Sequence, residues 1–248
     1  MPVTIASSVG RNGTNAPADV LTIKARLVEL GLSFVTPGPQ SDNSLVRAIQ
    51  LFQAMKNGTT KLLVPQNDGR VDVNGDTIKW LNAANAPRWV LMPAGSPEGG
   101  MVNDNLAALN DDHDFGSSWI AETLTATGLG YRAEFLDSHP GAALLHINDT
   151  SLPQGGDTSA HAEHETGLQS DVRLPRKDGG VGGITVNQQA YDRNVMRAML
   201  KAFLKQPLAR RVFLNDDVLI NEGLCRHAGG HDNHAHFEIK PPPRVDQD

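Results

Sequence analysis

His234-Ala235-His236-Phe237-Glu238-Ile239 alternates polar and apolar residues one by one. A period of two marks a half-buried strand, so His234 and His236 share one face while Ala235, Phe237 and Ile239 enter a core on the other. Just upstream, Gly229-Gly230 lets His231 turn back toward the same face. A second stretch runs His161-Ala162-Glu163-His164-Glu165-Thr166-Gly167-Leu168-Gln169-Ser170-Asp171. Gly167 breaks a helix there. Leu168 to Leu174 then alternates as a strand, with Asp171 on the face opposite Val172 and Leu174.

Five of the nine histidines crowd into these two stretches, beside carboxylates. A divalent ion of borderline softness, zinc above all, takes imidazole and carboxylate ligands, and a catalytic zinc draws three of them from the protein. His164, Asp171 and His236 could supply those three. The spacing excludes other zinc motifs. H-E-x-x-H fails because Leu168 stands where a second histidine is needed after His164-Glu165, and the inverted H-x-x-E-H is not met between His161 and Glu165.

Composition limits the alternatives. At 248 residues, 39% hydrophobic and 20% charged, the chain is long enough for one large domain or two modest ones. A net charge of -6 without a basic run gives no general reason to bind nucleic acid or an anionic membrane. The single cysteine, Cys225, permits no intramolecular disulfide and reads as a small buried side chain. The N-terminal stretch lacks a secretory signal pattern, and no apolar run is long enough to span a membrane, so the expectation is a chain made in the cytoplasm that folds as a monomer.

Before the histidine stretches, three short helices are expected. The first starts near Asn15 to Asp19, with Asn15 or Asp19 as its cap, carries Val20, Ile23, Leu27 and Leu30, and stops at Gly31. The second is capped by Asp42 or Ser44, carries Leu45, Ile49 and Phe52, and closes at Asn57-Gly58. The third carries Ile78, Trp80 and Leu81. Composition then shifts to Ala, Pro, Gly and Ser, which reads as a linker over residues 83–104, docked through Trp89.

A second domain would follow over residues 105–248. Asp111 to Asp114, with His113 among carboxylates, reads as a solvated loop. A helix through Trp119, Ile120, Thr123 and Leu124 would end at Gly128 or Gly130. Phe135-Leu136 reads as a short strand and Leu144 to Ile147 as a buried one, with His146 a core histidine rather than a ligand. A helix from about Gln188 to Lys205 would end before Pro207, its methionines packing in the core, and Val212 to Leu214 would be a buried strand. The class is α+β, with a central antiparallel sheet flanked by helices.

Two resemblances stand on these residues. Leu27-Val28-Glu29-Leu30-Gly31, Ala48-Ile49-Gln50-Leu51-Phe52-Gln53 and Asp68-Gly69-Arg70-Val71 resemble the L-x-x-L-G, A-x-x-x-F-Q and D-G-x-V segments of small three-helix peptidoglycan-binding domains, covering residues 1–82. The rest resembles the penicillin-insensitive murein endopeptidases, zinc peptidases of the lysostaphin, D-Ala-D-Ala peptidase and hedgehog group. Their D-x-S-x-x-x-G-G, H-x-S-H-x-x-G-L-x-x-D and G-H-D-x-H-x-H motifs are matched by Asp149, Ser151, Gly155 and Gly156; by His161, His164, Gly167, Leu168 and Asp171, with Glu163 replacing serine; and by Gly230, His231, Asp232, His234 and His236.

The resemblance implies a Zn2+ held by His164, Asp171 and His236. His231 would stand at the general base position, with Glu165 its rival, and His234 at the oxyanion; His161, Glu165 and Ser151 would support the site or the substrate. It implies hydrolysis of peptide cross-links in bacterial peptidoglycan, between D-alanine and meso-diaminopimelate. Relatives exported to the periplasm generally carry a signal peptide and several cysteines. This chain has neither, which suits a phage endolysin released through a holin, or a delivered lytic effector, acting in the periplasm or cell wall. A D-Ala-D-Ala carboxypeptidase with the same zinc site, and a non-catalytic wall-binding protein with a structural zinc, stay open at this point.

Overall fold

The structure is a computed structural model that describes residues 2–108, 112–157 and 163–247. In chain order it runs β1 (Val9–Gly10), α1 (Pro17–Glu29), α2 (Asn43–Asn57), β2 (Arg70–Val71), α3 (Asp76–Leu81), β3 (Trp89–Leu91), β4 (Gly95–Ser96), β5 (Met101–Asn103) and α4 (Asn105–Ala108). It continues with β6 (Phe115–Ser117), α5 (Ser118–Glu134), β7 (Leu145–Ile147), β8 (Gln169–Arg173), α6 (Arg193–Leu204), β9 (Ala209–Phe213), α7 (Asp217–Asn221) and β10 (His234–Ile239). This is a mixed α+β architecture. Among the described residues, no helix is long and apolar enough to cross a membrane.

The helices start and stop where local chemistry says, with some corrections. Asp42 caps α2 by accepting from the Leu45 N–H, and left-handed Gly58 ends it. Neither Asn15 nor Asp19 caps α1: Asn15 is spent on Gly10 and Gly13, and the Asp19 carboxylate on Ala6 and Ser7, so Ala16 takes the cap position. The helix α5 runs through both glycines expected to end it. A Cβ at Gly128 would lie 2.7 Å from the Gly99 carbonyl oxygen, so this glycine serves close approach rather than termination. Phe135-Leu136 forms no strand but the end of α5 and a 3-10 turn. The α6 helix begins five residues later than expected because Asp192 caps it.

Six strands form the main sheet, in the order β4-β5-β7-β8-β10-β9. Its pairs are antiparallel except β5 with β7, so the sheet is mixed rather than purely antiparallel. The central pair sets the site: His236 faces Asp171 across the ladder, and His234 faces Arg173. On the other face of β10, Ala235, Phe237 and Ile239 are buried, with Phe237 against Phe203 of α6 at 4.3 Å between ring centroids.

Residues 83–104 are not a linker. They provide β3, β4 and β5, of which the last two belong to the main sheet. Trp89 is buried and donates its indole N–H to the Pro153 carbonyl, while β3 pairs with β6. The buried apolar side chains, from Ile5 to Ile239, make one continuous cluster, and Trp80 of α3 meets Trp119 of α5 edge-on at 5.8 Å. His113 is likewise no solvated loop residue. It and Asp114 are buried, because backbone bonds tie this segment to Met92 on one side and Thr150 on the other.

Candidate metal centre

Three side chains converge on one face of the β8–β10 ladder. Asp171 comes from β8 and His236 from β10, opposite each other in register, while His164 enters from the turn before β8. His164 Nε2 lies 3.1 Å from His236 Nδ1 and 3.2 Å from Asp171 Oδ1, and His236 Nδ1 lies 3.1 Å from the same oxygen. All three residues are buried. Four ligands held 2.0–2.1 Å from one tetrahedral zinc sit roughly 3.3–3.4 Å apart. The three atoms therefore have nearly the spacing a single ion needs.

The proton positions fit as well. His164 Nδ1 donates to the Thr150 carbonyl at 2.8 Å, which leaves Nε2 with its lone pair aimed at the centre. Nδ1 is the nitrogen of His236 that faces the cluster, while among the described residues its buried Nε2 has no hydrogen-bond partner. Electrostatics favour a cation here. Burial pushes the Asp171 carboxyl up, but the adjoining His164 and His236 rings outweigh it and hold the group well below the usual carboxylate range. Burial pulls His164 down, and the Asp171 charge more than reverses this. Burial lowers His236 and His234, so those rings stay neutral and able to give a lone pair. Two imidazoles and one carboxylate of this spacing make a metal-binding cluster, in which a bound cation would displace the proton that Asp171 favours on His164.

One ring nitrogen of His236 also lies within 4.8 Å of carboxylate oxygens of Glu163 and Glu238. Its Glu238 member belongs to an ion-pair network instead. Glu238 is buried and receives Arg210 Nη1 at 2.6 Å and Arg211 Nε at 2.5 Å, so its charge is already matched.

His234 Nε2 stands 3.6 Å from Asp171 Oδ2, and its Nδ1 donates to Asn233 Oδ1 at 2.7 Å. The His231 ring lies 4.9 Å from that of His234 and 5.5 Å from that of His236, with Nδ1 donating to the Gly229 carbonyl at 3.0 Å. Both rings thus keep a lone pair on Nε2, that of His234 on the side of Asp171. Neutral His234 presents a hydrogen at Nε2 only as the other tautomer, with the Asn233 amide turned to donate to Nδ1.

The rival base fails on geometry. Both Glu165 oxygens are taken, one by Lys61 Nζ at 2.8 Å and the other by the Leu62 N–H at 2.9 Å. Ser151 is buried and accepts from the Gly167 N–H at 2.9 Å, so it supports the turn that leads into β8. His161 lies outside the described residues. His146 bonds Asp104 at 2.7 Å, away from the cluster, as a satisfied histidine.

Asp171 and His234 form part of the wall of a cleft of about 510 Å³, completed by Asn148, Arg173, the Gly182-Gly183 turn and Gln188. A larger cavity of about 800 Å³ lies between the end of α5 and the start of α6, against Phe135, His139, Lys177 and Lys201. None of the cluster residues lines it, and the smaller cleft is the one next to the chemistry. No protein-family model and no curated protein matches the chain.

Sequence reasoning missed Thr150, Asn233 and Arg173. The first acts through a backbone carbonyl, which no residue type advertises. Arg173 was open to inference, since it stands two residues from Asp171 on the same strand face.

Proposed function

We propose that this chain is a zinc-dependent peptidase of the penicillin-insensitive murein endopeptidase type, hydrolysing peptide cross-links of bacterial peptidoglycan. The observation that carries the reading is the triangle of His164 Nε2, Asp171 Oδ1 and His236 Nδ1, with edges of 3.1–3.2 Å, beside two further imidazoles, of which His234 lines a cleft with Asp171. Three protein ligands rather than four, among the described residues, suit a catalytic site, because structural zinc is normally closed off by four. The wall as substrate is supported by the resemblance of the motifs around these residues, and by that of residues 27–71 to wall-binding modules.

His164, Asp171 and His236 would hold the zinc, which when bound supplies Lewis acidity: activation of water near neutral pH and polarisation of the scissile carbonyl. The chain's own residues do the proton work. His231, fixed by the Gly229 carbonyl, presents Nε2 to take a proton from the attacking water and return it to the leaving amine. His234, kept neutral by burial at the cleft wall, would face the developing oxyanion in the tautomer that carries its hydrogen on Nε2. Arg173 stands in the cleft wall with Nε on Asp104 at 2.7 Å and Nη2 on Asn148 at 2.6 Å, a pre-oriented guanidinium for a carboxylate of the stem peptide. The expected site of action is the wall, reached by holin release or delivery.

Mass analysis of muropeptides after incubation of sacculi with the zinc-loaded protein tests the reading. Loss of cross-linked dimers, abolished by chelator, is expected. Intact cross-links with only terminal alanine removed would mean a carboxypeptidase, and no change at all would overturn the peptidase reading.

A further inference from the structure

Glu165 directly follows the candidate ligand His164, and it is gripped from the far end of the chain. Its side chain is 7% exposed, and its two oxygens accept from Lys61 Nζ and the Leu62 N–H, both on the loop after α2. The next residue, Thr166, donates its hydroxyl to the Thr59 carbonyl at 2.8 Å. The facing turn is held by the same region. Gly156 N–H donates to the Glu165 carbonyl at 2.7 Å, and Arg47 of α2 donates to the carbonyls of Gln154 and Gly155. A Cβ at Gly156 would lie 2.3 Å from Arg47 Nη2, and one at Gly155 would lie 2.8 Å from Leu51, so both glycines let α2 come this close.

We propose that Lys61 is a positioning residue for the metal centre, which makes the helical N-terminal part of the chain a working wall of that centre rather than a tethered accessory. The inference rests on the reading that His164, Asp171 and His236 bind a metal. His164 sits on a turn rather than a strand, with its Nδ1 held by the Thr150 carbonyl. Asp171 and His236 are set by ladder register and need no such help. A metal site tolerates about 0.5 Å of error in its ligands, so the turn must be fastened, and a buried carboxylate matched by an ammonium and a backbone N–H fastens it. Partners of this outer kind change metal affinity by about 10–100-fold when removed.

The test uses the full chain. Zinc affinity is measured by competition with a chromophoric chelator, and the ligand field by the visible spectrum of the Co2+-substituted protein, for the unaltered chain, Lys61→Met, Lys61→Arg, Glu165→Gln and the Lys61→Met/Glu165→Gln pair. Lys61 is 46% exposed and its Glu165 partner only 7%, so circular dichroism and the metal-free unfolding midpoint check that each variant stays folded, and Lys61→Met/Glu165→Gln removes the pair without a stranded charge. The expected result is roughly tenfold or greater loss of zinc affinity in Lys61→Met with a shifted Co2+ band. Lys61→Arg should restore both, and the double variant should be no worse than the weaker single because the two act along one path. A folded Lys61→Met with unaltered affinity and unaltered Co2+ spectrum would overturn the proposal while leaving the metal reading standing. Failure of the unaltered chain to bind zinc would overturn both.

Discussion

Asp171→Asn separates the metal role of this residue from its packing role. The side chain is buried between His164 and His236, and asparagine fills the same volume without the charge. Structural zinc sites gather about 10–16 kcal/mol from four ligands, so one charged ligand is worth about 3 kcal/mol, or about a hundredfold in affinity. Zinc supplied at about 100 times the wild-type Kd stabilises the folded chain by about 2.7 kcal/mol, and the same zinc against a hundredfold weaker site stabilises by about 0.4 kcal/mol. For a chain of 248 residues, each kcal/mol moves the midpoint by about 2–4 °C. The zinc-dependent rise should therefore fall from about 5–11 °C to about 1–2 °C, read by scanning calorimetry with zinc and with chelator. The metal-free midpoints are compared separately, because Asp171→Asn also removes the Asp171–His164 interaction from the metal-free chain. A variant with the full zinc-dependent rise would refute the assignment of Asp171 as a ligand.

Three further outcomes follow from the geometry. His231→Ala should keep zinc and lose activity on cross-linked muropeptides by about 10²–10⁴-fold, and retained turnover would remove the proton role given to this ring. Gly167→Ala should destabilise by about 2–5 kcal/mol in urea unfolding: φ is +66°, and a Cβ there would lie 2.4 Å from the Trp89 ring and 2.8 Å from the Ser117 nitrogen. Burial pushes the Asp42 carboxyl up, but Lys24, the Ser44 hydroxyl and the Leu45 N–H outweigh it and hold the group at about 2. A depressed carboxyl stabilises above its unfolded value and loses that contribution as pH falls through its folded one, so wild type should lose stability more steeply than Asp42→Asn between about pH 4 and pH 2.

The parts of this molecule that were legible in advance share one property: their signal is local and periodic. Alternation placed His234 and His236 on one face of β10 and Asp171 on the matching face of β8, and the Asp42 cap and Gly58 stop bound α2 where expected. What was misread depends on contacts distant in sequence. Strands of two or three residues, as in β3 to β5, are too short to show a period, so their glycines and prolines looked like a linker. Gly128 looked like a helix stop because its close neighbour, the Gly99–Met101 backbone, is invisible without the fold. Glu165 looked available as a base because Lys61 lies 104 residues away. Five clustered histidines suggested a metal, but only the Thr150 carbonyl shows which nitrogen of His164 faces it.

Anomalous diffraction at the zinc edge, on crystals of the zinc-loaded full chain, tests the central claim most directly. The account predicts one strong peak bounded by His164 Nε2, Asp171 Oδ1 and His236 Nδ1, at about 2.0–2.2 Å from each. A peak elsewhere, or none beside these three atoms, would contradict it.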